Sequence, residues 1–143
     1  MELISKQDLT PERRAELRSE SVEGSGGDAI HRSNVIWRVV THQKTGQLYV
    51  VLTGNEHLGR PSHLRYLRRD ASFGKRHYWV SAGKFIGAYR DYGVLVATRL
   101  ESDATYRSRK RDDAFMKGCM SLVFVIVLVA MVVGLYQCTL GRG

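Results

Sequence analysis

The sequence predicts a mainly β protein: a small antiparallel barrel or bent sheet, preceded by a short N-terminal helix and followed by one C-terminal transmembrane helix. Three observations carry that expectation. Short runs of β-forming residues separated by glycine turns fill residues 34–100. A helix start signal, Thr10-Pro11-Glu12, stands near the N-terminus. The 24 residues of 118–141 carry no formal charge. A chain of 143 residues has room for one small domain beside such a run. With only 2 cysteines, a disulfide-stapled scaffold and a cysteine-based zinc ribbon are excluded.

The first element is a helix over residues 11–19. Thr10 is a suitable N-cap, Pro11 fits the first helical position, and Glu12 favours the positive end of the dipole. Its apolar content is Ala15 and Leu17, with Leu9 before the cap, too thin for a core-facing stripe. A solvated helix and a partner-binding peptide both fit that composition. Gly24-Ser25-Gly26-Gly27 reads as a flexible hinge. Residues 1–30 therefore form an acidic N-terminal helix and Gly-rich linker of net charge −3, ahead of a basic β-domain at 31–100.

Strands are expected at residues 35–40 and 48–52, joined by a turn at Lys44-Thr45-Gly46. A polar loop over 53–61 leads to a third strand at 63–69. Phe73-Gly74-Lys75 should turn the chain into a fourth strand at 76–80. Ala82-Gly83-Lys84 should turn it again, before a short element at 85–89 and a last strand at 93–100. Val35, Trp37, Val39, Val50, Leu52, Tyr78, Val80, Ile86, Val94 and Val96 are the expected core. A domain this small is marginal unless tightly closed.

Within residues 37–89, His42, Lys44 and Gly46 precede Tyr49-Val50-Val51-Leu52. Tyr66-Leu67-Arg68, Trp79-Val80 and Phe85 follow. That order and spacing resembles a small uncharacterised β-domain family of bacteria and phages, with Ser81-Ala82 standing where the family has Arg-Pro. The resemblance implies an SH3-like barrel and a bacterial or phage origin; it implies no activity.

Residues 118–137 have the length and apolarity of a transmembrane helix, with Cys119, Leu122, Phe124, Ile126, Leu128, Ala130, Val132, Gly134 and Tyr136 inside it. A charged juxtamembrane linker at 101–117 would lead in, and a short outside tail at 138–143 would follow. With so little chain after the helix, a tail-anchored, post-translationally inserted protein is expected. The N-terminus has no apolar stretch resembling a signal peptide. Arg107, Arg109, Lys110, Arg111 and Lys117 precede the span and only Arg142 follows it, so the N-terminal side is cytoplasmic. A bacterial inner membrane is favoured over a eukaryotic organelle. Ala130, Gly134 and Cys138 recur every four residues, as in small-residue faces on which membrane helices dimerise, so a homodimer through this helix is expected.

No catalytic signature appears. The five histidines, 31, 42, 57, 63 and 77, show no metal-binding spacing. There is no Gly-x-Ser-x-Gly and no phosphate loop. The reading is non-enzymatic, with no cofactor and no metal. The positive signal is cationic: residues 31–117 carry +10 net, and Arg60, Arg65, Arg68, Arg69, Lys75, Arg76, Lys84 and Arg90 fall among Tyr66, Tyr78, Trp79, Phe85 and Tyr89. Such a surface suits an anionic membrane face or an acidic protein partner; nucleic acid, the other ligand of basic aromatic surfaces, is disfavoured in a membrane-tethered chain. The expected role is an accessory or binding protein, such as a phage-type modulator of a host membrane protein. A membrane-permeabilising lysis-type protein, a small supernumerary subunit of a membrane complex and a nucleic-acid-binding module are the alternatives.

Overall fold

The computed structural model describes residues 1–54 and 61–140, with side chains to Val133. The chain forms two compact units: Met1–Gly24 with Ile30–Leu100, and Ser25–Ala29 with the segment that begins at Glu101.

The first unit contains β1 (Glu2–Ser5), α1 (Pro11–Arg18), β2 (Ser21–Glu23), β3 (Ile30–His42), β4 (Leu48–Thr53), β5 (Ser62–Leu67), β6 (Phe73–Val80), α2 (Ala82–Ala88) and all but the last two residues of β7, which spans Tyr89–Ser102. The strands form one sheet in the order β1-β7-β3-β4-β5-β6, with β2 paired to the start of β3. The β1–β7, β3–β4, β4–β5 and β5–β6 pairs are antiparallel. The path has two ends, β1 and β6, so the sheet is bent and open, not a closed barrel. The bend is nonetheless strong. Leu3 of β1 and Phe73 of β6 pack against one cluster, Val39, Val50, Leu67 and Leu95, although their strands are the two edges.

Val39 and Val40 are adjacent, and both are fully buried. In a strand, neighbours point to opposite faces, so the sheet is covered on both sides. The concave side holds the Val39 cluster. On the other, Val40 and Leu64 lie under Phe85 of α2, while Ile4 and Val96 pack with Leu17 of α1. Of the expected core, Val39, Val50 and Val96 are buried, and Trp37, Leu52, Val80 and Val94 pack at its margins. Ile86 and Tyr78 are exposed, whereas Leu64, Leu95 and Phe85 take core positions.

Several local expectations are corrected. Helix α1 starts as expected, with the Thr10 hydroxyl accepting the Arg13 N–H at 3.2 Å. Its one buried residue, Leu17, anchors it to the sheet, and Asn34 reinforces this by donating to the Leu17 carbonyl at 3.1 Å. Residues 1–24 thus belong to the β-unit and add strand β1 to it. The turn expected at 73–75 lies instead at 68–72, where the Ala71 N–H donates to the Arg68 carbonyl and the Arg68 N–H to that of Ser72, both at 3.0 Å. Gly74 is a buried strand residue whose missing side chain makes room for the Tyr66 ring. Residues 82–88 are helical; burial of Phe85 outweighs the weak helix propensity of Gly83 and Gly87.

In the second unit, Gly26–Asp28 makes a 3-10 turn and α3 spans Asp103–Leu140. The Asp103 N–H donates to the Ala29 carbonyl at 3.0 Å. The segment expected as a linker is therefore helical from Asp103 onward. Arg107 pairs with Asp103 at 2.8 Å, and Arg109 with Glu101 at 2.8 Å and Asp113 at 3.7 Å. Residues 103–133 are long and apolar enough to cross a membrane, and none of their most apolar window is buried. Gly134, Tyr136 and Cys138 lie outside the residues whose side chains are described.

Candidate functional site

Antiparallel register builds the site from β5 and β6. His63 stands opposite Trp79, and Arg65 opposite His77, so all four share the concave face. The His63 and Trp79 rings stack with centroids 4.6 Å apart and planes 6° from parallel. The His77 ring meets His63 edge-on at 4.5 Å. The Arg65 guanidinium contacts the His77 imidazole and lies 5.5 Å over the Phe73 ring. Displacement of water by these neighbours, then the charges of Arg65 and His63, lower the His77 pKa below its ordinary value. Trp79 remains 70% exposed, on the free edge strand of the sheet.

The expected basic set divides. Arg65 is half-buried in this ladder. Arg68 pairs with Asp70 at 3.8 Å. The Asp70 carboxyl is held below its ordinary pKa mainly by hydrogen bonds from Ser72, and less by Arg68. Arg69, Lys75, Arg76, Lys84 and Arg90 are exposed and have no carboxylate partner among the described residues. Alternation places Lys75 on the concave face and Arg76 on the other, so they do not form one patch. Arg60 lies outside the described residues.

A cavity of about 600 Å³ opens beside this edge, lined by His42, Gln43, Lys44, Trp79, Val80, Lys84, Gly87, Ala88 and Tyr89. Backbone contacts fix it: the Gln43 N–H donates to the Ala88 carbonyl at 2.8 Å, and the Gln43 side chain donates to the Gly87 carbonyl at 3.3 Å. Tyr89 packs edge-on against His42 at 5.1 Å and Tyr49 at 5.5 Å. Burial, then the neighbouring Tyr49 and Tyr78, raise the Tyr89 phenol pKa, so it stays neutral. Lys44 and the cavity itself escape sequence reasoning, because residues 42–44 and 84–89 meet only in the fold. A second cleft, about 430 Å³, has its charges internally matched, with Arg13 pairing to Glu16 at 2.7 Å and to Glu2 at 3.4 Å. Among the described residues, no three His, Cys, Asp or Glu side chains are grouped to hold a metal.

No protein-family model, curated protein or solved structure matches this chain.

Proposed function

We propose that this is a single-span membrane protein whose basic β-unit binds an anionic surface, in first place the lipid leaflet beside its own helix. The observation that carries this reading is how the cations are partnered. Arg13, Arg32 and Arg38 each have a carboxylate within 3.4 Å. Among the described residues, the cations from Arg69 to Arg90 have none, and Trp79 and Ile86 stand exposed among them. Unpaired Lys and Arg each contribute about 1 kcal/mol at an anionic membrane face. A Trp ring favours the same interface. The helix supplies permanent proximity, so even weak docking is occupied. In this reading the protein binds and does not catalyse, with the β-unit on the cytoplasmic side. The exposed apolar side chains of α3, among them Phe124, Ile126 and Leu128, support insertion, since water would not leave such a helix bare.

The test is Trp79 fluorescence in the full chain, reconstituted into vesicles of phosphatidylcholine alone or with phosphatidylglycerol. Trp79→Phe supplies the Trp37 background. Headgroup spin labels should quench Trp79 in the anionic vesicles, and salt should relieve the quenching. Equal quenching in neutral vesicles at every salt concentration, or none in either, rejects the reading.

A further inference from the structure

We propose that the cavity between β6, α2 and the β3–β4 turn is a binding site for an anionic amphiphile, a single phosphodiester lipid headgroup with the first carbons of its chains. This rests on the reading that the β-unit meets an anionic leaflet, and it names where one lipid is held. Lys44 and Lys84 both line the cavity, both are exposed, and neither has a carboxylate partner among the described residues. None of the described lining residues is acidic. Gln43 and Gly87 line it too, and the apolar share of the lining comes from Trp79, Val80, Ala88 and Tyr89. At about 600 Å³ the space is in the range of small-molecule sites.

A further polar lining residue is His42. Its Nδ1 lies 3.4 Å from the Thr45 N–H and 3.2 Å from the Thr45 hydroxyl. Acceptance of the Thr45 N–H at Nδ1 leaves the proton of a neutral ring on Nε2, making it a donor. Two ammonium groups and one imidazole N–H suit a phosphodiester. A bare phosphate would use the cations and leave the apolar wall wet, so the wall selects a ligand with carbon next to its charge. Ile86, 67% exposed on α2, stands on the helix that carries Lys84, where an acyl chain would leave the site.

The full chain in neutral detergent is titrated with dihexanoyl phosphatidylglycerol, dihexanoyl phosphatidylcholine, glycerol phosphate and an acidic decapeptide, by calorimetry. Saturable one-to-one binding of phosphatidylglycerol is expected, at least tenfold tighter than any other probe. Lys44→Gln with Lys84→Gln should weaken it tenfold or more. Lys6→Gln with Arg18→Gln, exposed cations outside both the cavity and the docking set, should leave it unchanged. These four side chains are exposed, so folding survives their exchange. Unaltered binding by the Lys44/Lys84 variant, equal binding of phosphatidylcholine, or tighter binding of the peptide overturns the site. If the Lys44/Lys84 variant also keeps the salt-sensitive quenching of Trp79 in anionic vesicles, the cavity is rejected and surface docking stands. If calorimetry succeeds and vesicle quenching fails, surface docking is rejected and the cavity stands.

Discussion

The Trp79 indole lies flat against the His63 imidazole, 4.6 Å between ring centres, on the last strand of an open sheet. An exposed edge strand commonly carries charge to prevent pairing with other chains, and Lys75 and Arg76 meet that need. Trp79 does not; a large apolar ring on a free edge costs solubility unless it meets something. Trp79→Ala should therefore leave folding nearly intact, losing about 1 kcal/mol of ring contact at most. The same change should remove most binding to anionic vesicles. Thermal unfolding and vesicle flotation measure the two effects; a large fall in Tm with unchanged flotation would assign Trp79 to stability instead.

Gly74 tests how the β5–β6 hairpin is packed. A Cβ at this position would overlap the Tyr66 ring. Gly74→Ala should cost about 1–3 kcal/mol, the usual range for overpacking. Adding Tyr66→Leu should recover part of that loss, since it removes the atoms that collide. A double-mutant cycle with no coupling energy would contradict the contact.

The Gly74 case also explains what could be read in advance. Helix α1 was legible because its signal is local: a Thr cap, Pro11 and Glu12 act within one turn. The alternation around Trp37, Val39 and Val50 was legible for the same reason. Gly74 reads as a turn because its reason, Tyr66, lies eight positions away across a hairpin. Strand β1 was missed because four residues, Glu2–Ser5, have no pattern of their own and become a strand only beside Val94 and Val96. The basic character of the site was visible in composition. Its division was not: which cations are paired depends on partners such as Asp91, 53 residues from Arg38. The cavity depends on Gln43 reaching Ala88, a contact that no spacing announces.

Leu17 measures how far the N-terminal segment belongs to the β-unit. It is the buried residue of α1 and packs with Ile4 and Val96. Leu17→Ala should destabilise the unit by about 2–3 kcal/mol, as for other buried leucines. Removal of residues 1–24 should be worse, since it also strips β1 from Gly93, which passes close to the Ile4 carbonyl. An unchanged unfolding midpoint after that deletion would make the segment an appendage after all.

His77 predicts a pH dependence. Its pKa is lowered in the folded state by lost hydration and by Arg65 and His63. The unfolded chain titrates near the ordinary value of about 6.5 and so binds the proton more readily. Stability is therefore complete above about pH 6.5 and declines as pH falls through that value toward the lowered one. Urea unfolding midpoints across pH 5–8 should trace the decline, and His77→Gln should flatten it. A profile identical in the variant would place the dependence elsewhere, with His63 the next group to exchange.

Orientation is set by the charges on either side of Cys119, which lies just beyond the charged part of α3. Five Lys or Arg residues, 107, 109, 110, 111 and 117, precede it, and Arg142 alone follows the apolar run. Arg107 and Arg109 are engaged with Asp103, Glu101 and Asp113, so the net field of this segment is weaker than its cation count. The orientation rule counts Lys and Arg and gives acidic residues little weight, so those pairs should not change the outcome. In a background with Cys119→Ser and Cys138→Ser, a membrane-impermeant maleimide should label Ser108→Cys, in the charged part of α3, in inverted vesicles and not in intact cells. Exchanging Lys110, Arg111 and Lys117 for Gln while placing three Lys after Gly141 should reverse the pattern, because the cation majority then follows the helix. Labelling of the parent from the outside would place the β-unit, and with it Lys44 and Lys84, on the opposite face of the membrane.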